Sequence, residues 1–122
     1  MEITDLRPTI VWKYFHEVTQ VPRPSKKEGK MIAFLESFAK EHHVAIKKDE
    51  VGNILMSKPA TPGMENRPVV VLQSHMDMVC EKNNGTQHDF DNDPIETIVD
   101  GEWLRANGTT LGADNGIGVA AE

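Results

Sequence analysis

Residues 68–74, with the sequence PVVVLQS, place the strongest constraint on how this chain folds, because four consecutive aliphatic residues follow a proline. A strand that is apolar on both faces must be covered on both faces, which is typical of α/β proteins. Two polar residues, His75 and Asp77, come directly after this run. Ligands bind at the carboxyl ends of strands in open α/β sheets, so the pair predicts a functional site at that edge.

Apolar periodicity along the rest of the chain predicts two helices followed by several strands. Two amphipathic helices are predicted over residues 8–20 and 26–41, and Ser25 with Glu28 matches a capping box for the second. Besides 68–74, strands are predicted over 44–48 and 53–57, followed by a hairpin over 95–107 that turns at Asp100-Gly101 and by a Gly-rich loop over 109–118. The fold class predicted from this order is α/β.

Size and charge restrict the classes of function. The chain has 122 residues, which favours one domain, and its net charge of −6 without a basic stripe argues against nucleic acid as a partner. No apolar stretch approaches the length of a membrane span, and the N-terminus does not have the pattern of a signal peptide. Because Cys80 is the only cysteine, these features together predict a cytoplasmic protein.

The spacing of His75 and Asp77 suits a metal ligand with an orienting neighbour. Side chains alternate along a strand, so both residues project from the same face if the extended geometry persists. Imidazole is a preferred zinc ligand, and a nearby carboxylate commonly fixes the ring's tautomer. Taken alone, a His and an Asp at a strand end are more often structural than functional.

A second constellation, GADNGIG, places Asp114 among three glycines before a predicted helix. A carboxylate in such a loop can bridge two cations about 3.5–4 Å apart, as in two-metal hydrolases. The alternative is a non-catalytic anion-binding or interaction module, since a Gly-rich loop at a helix N-terminus can also cradle an anion. The stretch lacks the lysine and hydroxyl residue of a P-loop.

Together, SHMDMVCEKN and TTLGADNGIGVAAE resemble the M20 metallopeptidases, and within them the bacterial aminoacyl-histidine (Xaa-His) dipeptidases. The resemblance covers nearly the whole chain, including DLRPTIVWKYFHEVTQVPRPSKKE and DEVGNILMSKPAT. It implies the N-terminal part of a three-layer α/β/α catalytic domain with a central mixed sheet. The activity implied is the hydrolysis of dipeptides, notably Xaa-His such as carnosine.

The resemblance also implies roles for individual residues. His75 would ligate a metal, Asp77 would be the active-site acid that holds the His75 ring, and Asp114 would bridge two metals through a loop with a cis peptide bond to Asn115. The cofactors implied are two divalent ions, with zinc expected first and manganese or cobalt as alternatives. The partner implied is a dipeptide substrate, without nucleic acid or membrane.

The family pattern further requires a Glu-Glu pair, an Asp and a distant His that have no counterpart in residues 1–122. We therefore expect residues 1–122 to be a truncated part of the catalytic domain and to be inactive alone. The lid or dimerisation domain of the family lies outside this region, and the full-length protein is expected to form a homodimer. A metal-free interaction protein is the remaining alternative.

Overall fold

The chain contains both helices and strands, and the predicted α/β class is confirmed. The computed structural model describes residues 1–122. The helical elements are a short 3-10 helix Ile3–Asp5, α1 Thr9–Thr19, α2 Gly29–Glu41 and α3 Ala113–Ala121. The strands are β1 Ala45–Lys48, β2 Ile54–Ser57, β3 Thr97–Asp100 and β4 Trp103–Ala106. None of the helices combines the length and the apolar character required to cross a membrane.

The chain forms two compact units whose boundaries fall within α2 and after the aliphatic run. The first unit contains Met1–Met31 and Gln73–Glu122, and the second contains Ile32–Leu72. All three residues predicted to form the site belong to the first unit.

The core of the first unit lies between α1 and α3. Phe15 of α1 and Ala120 of α3 are buried together with Ile3 of the 3-10 helix. The apolar spacing in α1 therefore predicted the correct face, because Phe15 and Val18 of that stripe are buried. Partly buried side chains complete this core: Leu6, Trp12, Tyr14, Leu104, Leu111, Ala113 and Ile117.

The strands form two separate antiparallel pairs. β1 pairs with β2 in the second unit, and β3 pairs with β4 in the first. The hairpin was predicted correctly, but its connecting residues are Gly101 and Glu102 rather than Asp100 and Gly101, because Asp100 pairs with Trp103. Gly101 has a φ of 60°, which a glycine adopts without a steric penalty. The three-layer arrangement with a central mixed sheet describes a whole catalytic domain and stays a prediction.

The prediction of a buried strand over 68–74 is wrong for this structure. These residues join no sheet, and Val69, Val70, Val71 and Leu72 are 90%, 80%, 77% and 63% exposed. A strand is defined by ladder hydrogen bonds to a neighbour, and no segment of residues 1–122 supplies that neighbour. Aliphatic character alone could not show which segment would pair with the run.

The predicted capping box at Ser25 is also wrong. The helix begins at Gly29, and Lys26 has a φ of 68°, which is incompatible with a right-handed helical turn at that point. The Glu28 carboxylate instead accepts a hydrogen bond from the Lys26 backbone N–H at 2.8 Å. The Ser25 hydroxyl is therefore available for a different partner.

Candidate active site

The segment that carries His75 and Asp77 is fixed to the first unit through the residue that follows them. Met78 is buried, and its backbone N–H donates to the carbonyl of Arg23 at 3.0 Å. Pro24 and Met78 form an isolated parallel bridge. The segment around the prolines, VPRPS at 21–25, thus lies directly beside the two candidate residues.

His75 stands between two carboxylates. Its Nδ1 lies 3.0 Å from Asp77 Oδ1 and 3.0 Å from the Asp77 carbonyl oxygen, while its Nε2 lies 3.0 Å from Asp114 Oδ1. When the ring is protonated, both ring N–H groups donate to these acceptors. The structure therefore brings together the three predicted site residues, which are up to 39 positions apart in the sequence.

The two carboxylates favour the charged form of the imidazole. The hydrogen bond to Asp114 is the largest cause of a raised pKa for His75, and the contacts with Asp77 act in the same direction. Desolvation lowers the pKa of His75, but the ring is half exposed, and the hydrogen bonds to the carboxylates outweigh this effect. Without a bound cation, a proton on Nε2 takes the place between His75 and Asp114.

Asp77 is held on its other side by Ser25. The Ser25 hydroxyl donates to Asp77 Oδ2 at 2.5 Å, while Asp77 Oδ1 faces the His75 ring. This hydroxyl is the largest cause of the lowered pKa of Asp77, and His75 adds to the effect. Asp77 is therefore an ionised acceptor with both oxygens engaged, which suits a group that orients an imidazole.

Asp114 lies in an irregular first turn of α3. Gly112 precedes the helix with a φ of 75°, and Asp114 itself has non-helical angles of φ −94° and ψ 101°. The peptide bond between Asp114 and Asn115 is cis, so the cis bond implied by the resemblance is confirmed. Apart from its contact with His75, the Asp114 side chain is open to solvent, with 98% of its surface exposed.

The donor atoms fit part of a metal site. An imidazole nitrogen and a carboxylate oxygen are both ordinary zinc ligands, and they face each other across 3.0 Å. No group of three or more His, Cys, Asp or Glu side chains is placed to hold a metal ion. Since catalytic zinc has three protein ligands, the chain offers an incomplete set.

Two participants were missed by sequence reasoning. The sequence pattern predicts a helix cap at Ser25 and assigns no role to Arg23. Arg23 is 1% exposed, and its Nη2 donates to the carbonyl of Gly112 at 2.8 Å. The available signal was the pair of prolines around Arg23, which prevents a helix and gives the segment a fixed path beside the site.

Cys80, five positions after His75, does not compete for the catalytic role. Burial raises the pKa of its thiol, whereas a nucleophilic cysteine requires a lowered pKa. Its Sγ lies 3.6 Å from the Met78 carbonyl oxygen. The thiol is accordingly a packing group near the site.

Comparison with known proteins supports the interpretation of these motifs. Over 120 residues, or 98% of its length, the chain is 52% identical to the cytosol non-specific dipeptidase of Escherichia coli. The crystal structure of aminoacylhistidine dipeptidase from Vibrio alginolyticus matches 99% of the chain with a TM-score of 0.96 and 49% identity. The chain is a homologue of these dipeptidases.

The match is complete for this chain and partial for its relatives. The chain spans 25% of the length of each of these two dipeptidases. No family model matches the chain. The resemblance to bacterial dipeptidases indicated by the sequence motifs is nevertheless confirmed by both relatives.

Proposed function

We propose that this chain contributes the first metal ligands of an M20-type metallodipeptidase. The observation that carries the proposal is the His75 ring between Asp77 and Asp114, with both contacts at 3.0 Å. The two dipeptidase relatives support the reaction class. The name of one relative includes the word cytosol, which supports a cytoplasmic location together with the single Cys80.

Each residue has one task in this proposal. His75 would hold a metal ion through Nε2, and Asp114 would hold metal through its exposed carboxylate. Asp77 holds the His75 ring through Nδ1 and keeps Nε2 directed at Asp114. Two divalent ions, zinc first and manganese or cobalt as alternatives, would supply Lewis-acid chemistry: a water with a lowered pKa and a polarised scissile carbonyl.

The substrates we propose are dipeptides, including Xaa-His dipeptides such as carnosine. The two relatives, a non-specific dipeptidase and an aminoacylhistidine dipeptidase, support this class. The general-base Glu expected from the family pattern has no counterpart in residues 1–122, so we expect this chain alone to hydrolyse no dipeptide. Activity is expected from a protein that contains this chain and the remaining part of the site.

The anion-binding alternative is less favoured by the geometry. The Asp114 carboxylate occupies the first turn of α3, where it repels an incoming anion. Cation binding uses the same carboxylate as a ligand. The two functions therefore predict opposite effects when Asp114 is replaced by a neutral residue: cation binding should weaken, and anion binding should strengthen.

The decisive experiment is metal analysis and dipeptide hydrolysis with the complete protein. A His75→Ala/Asp114→Ala double variant should lose bound metal and Xaa-His hydrolysis, whereas Arg105→Met, at an exposed ion pair remote from the site, should retain both. Full metal retention by the double variant would contradict the proposal. Phosphate binding that increases when Asp114 is replaced would support the anion-binding module instead.

A further inference from the structure

Arg23 is a buried cation that forms no salt bridge, and the Asp77 carboxylate acts on it only at longer range. Its side chain is 1% exposed, and it makes no ion pair. Two backbone carbonyls accept its hydrogen bonds: Val18 from Nη1 at 3.3 Å and Gly112 from Nη2 at 2.8 Å. Its Nε is buried without any hydrogen-bond partner. A buried charge in such surroundings is costly, so a gain in stability is a weak explanation for its presence.

The last residues of the Gly-rich stretch form the first turn of α3 rather than the predicted loop, and this turn is shaped around the guanidinium. A Cβ atom added at Gly112 would lie 2.5 Å from Arg23 Nη2, and one added at Gly116 would lie 2.7 Å from the same atom. Two of the three glycines that surround Asp114 therefore make room for one side chain. The Gly116 N–H also donates to the Gly112 carbonyl at 3.0 Å, which closes the turn that contains Asp114.

The backbone of Arg23 reaches the other half of the site. Its carbonyl accepts the Met78 N–H at 3.0 Å, and Met78 directly follows Asp77. Arg23 consequently ties the segment carrying His75 and Asp77 to the turn carrying Asp114. Thr110 forms a second link nearby, because its hydroxyl donates to the Val79 carbonyl at 2.7 Å.

We propose that Arg23 is a positioning residue that sets the separation between His75 Nε2 and the Asp114 carboxylate. Its side chain fixes Gly112, and its backbone fixes Met78. The metal-binding consequence rests on the function proposed above, whereas the ordering of the Gly112–Gly116 turn does not. Productive metal ligation requires ligand positions to be held within about half an ångström. Loss of the guanidinium should therefore lower the affinity of the site for the metal ion.

The test uses the complete protein with Arg23→Met and Arg23→Lys. Methionine approximates the length of the side chain without its donors, and lysine keeps the charge but not the planar pair of donors. Arg105→Met is the matched control, since Arg105 is exposed and bonded to Asp100. Zinc affinity is measured by competition with a chelator, well below each variant's unfolding temperature. Amide hydrogen exchange at Gly116 is measured in the metal-free protein.

We expect Arg23→Met to weaken zinc binding by about 10–100-fold, the range seen when groups supporting metal ligands are removed. Gly116 exchange should accelerate at least about tenfold, which corresponds to 1.4 kcal/mol of lost protection. Arg23→Lys should recover part of both effects, and Arg105→Met should change neither. If Arg23→Met fails to fold, the lysine variant decides the question through the same two measurements.

Two results would overturn the inference. One is a lower unfolding temperature with unchanged zinc affinity and unchanged Gly116 exchange, which would make Arg23 a packing residue only. The other is equal acceleration of Gly116 exchange by the Arg105 control. If the parent protein binds no zinc, the proposed function fails, and Gly116 exchange still decides whether Arg23 orders the turn.

Discussion

At the scale of single residues, the site is a chain of hydrogen bonds from Ser25 through Asp77 and His75 to Asp114. The spacing of His75 and Asp77 and the glycines around Asp114 singled out these three residues, and the structure brings them together. Their role at a metal came from the family resemblance and stays a prediction. Ser25 and Arg23 were not singled out in this way. Their partners are 52 and 89 positions away, and no local pattern records such contacts.

The first residue-scale prediction concerns the titration of His75 without metal. Asp114→Asn should lower the pKa of His75, because the hydrogen bond to Asp114 is the main cause of its elevation. A raised pKa in the folded state stabilises the fold below the pKa of the unfolded chain, and this stabilisation is lost as pH rises through the folded-state pKa. The variant should therefore lose stability mainly on the acidic side.

The measurement is an NMR titration of the His75 ring together with urea unfolding at several pH values. Asp91→Asn provides the control, since Asp91 is exposed and pairs with Lys27 rather than with a histidine. An unaltered His75 titration curve in Asp114→Asn would show that the two side chains do not interact in solution.

A second residue-scale prediction concerns Asp77. Ser25→Ala should raise the pKa of Asp77, because the Ser25 hydroxyl is the largest cause of its lowered value. A lowered pKa stabilises the fold above the pKa of the unfolded chain, and this contribution disappears as pH falls through the folded-state pKa. Carbon-detected NMR of the Asp77 carboxyl measures the shift directly, with the exposed Ser57→Ala as control. If Asp77 titrates identically in Ser25→Ala and Ser57→Ala, the Ser25 hydroxyl does not lower the pKa of Asp77.

At the scale of elements, apolar periodicity predicted the helices correctly, whereas the capping box at Ser25 and the buried strand over 68–74 were predicted wrongly. Both helices predicted from apolar periodicity are present, and so are the two hairpins whose strands are neighbours in the sequence. The run at 69–72 carries the strongest strand composition in the chain but joins no sheet. Helical periodicity is satisfied within one segment, whereas a buried strand depends on partners that its own residues do not specify.

The element-scale prediction concerns the close contact of α1 and α3 at Gly116. A Cβ added there would meet Arg23 Nη2 at 2.7 Å and Phe15 Cε2 at 3.1 Å, both belonging to buried side chains. Gly116→Ala should therefore lower the free energy of unfolding by about 1–3 kcal/mol, the usual cost of overpacking a core. Urea denaturation of the metal-free protein measures this difference.

Gly29→Ala is the matched control for this substitution. Gly29 begins α2, and a Cβ at this position would meet nothing within 4 Å. Its free energy of unfolding should stay within about 0.5 kcal/mol of the parent value, as is usual at surface positions. Equal effects of the two alanines would mean that α3 does not approach α1 as closely as the structure indicates.

At the scale of the whole molecule, residues 1–122 correspond to a quarter of the length of two dipeptidases. The assignment to part of a catalytic domain, the completing ligands and the homodimer implied by the resemblance all stay predictions at this scale. What the chain itself presents is an exposed contact between His75 and Asp114 in one unit and an exposed aliphatic run in the other.

Residues 1–122 expressed alone should self-associate through the run at 69–72, whose four side chains are between 63% and 90% exposed. Unpaired, consecutive apolar residues of high strand propensity associate with other chains at micromolar to millimolar concentrations. Val70→Lys should suppress this association, because a lysine blocks pairing at an exposed edge.

Val51→Lys is the matched control. Val51 lies in a turn and is 83% exposed, so this lysine adds the same charge elsewhere and should leave the association unchanged. Sedimentation velocity over a concentration series measures the effect, and association suppressed equally by both lysines would attribute it to net charge rather than to the aliphatic run.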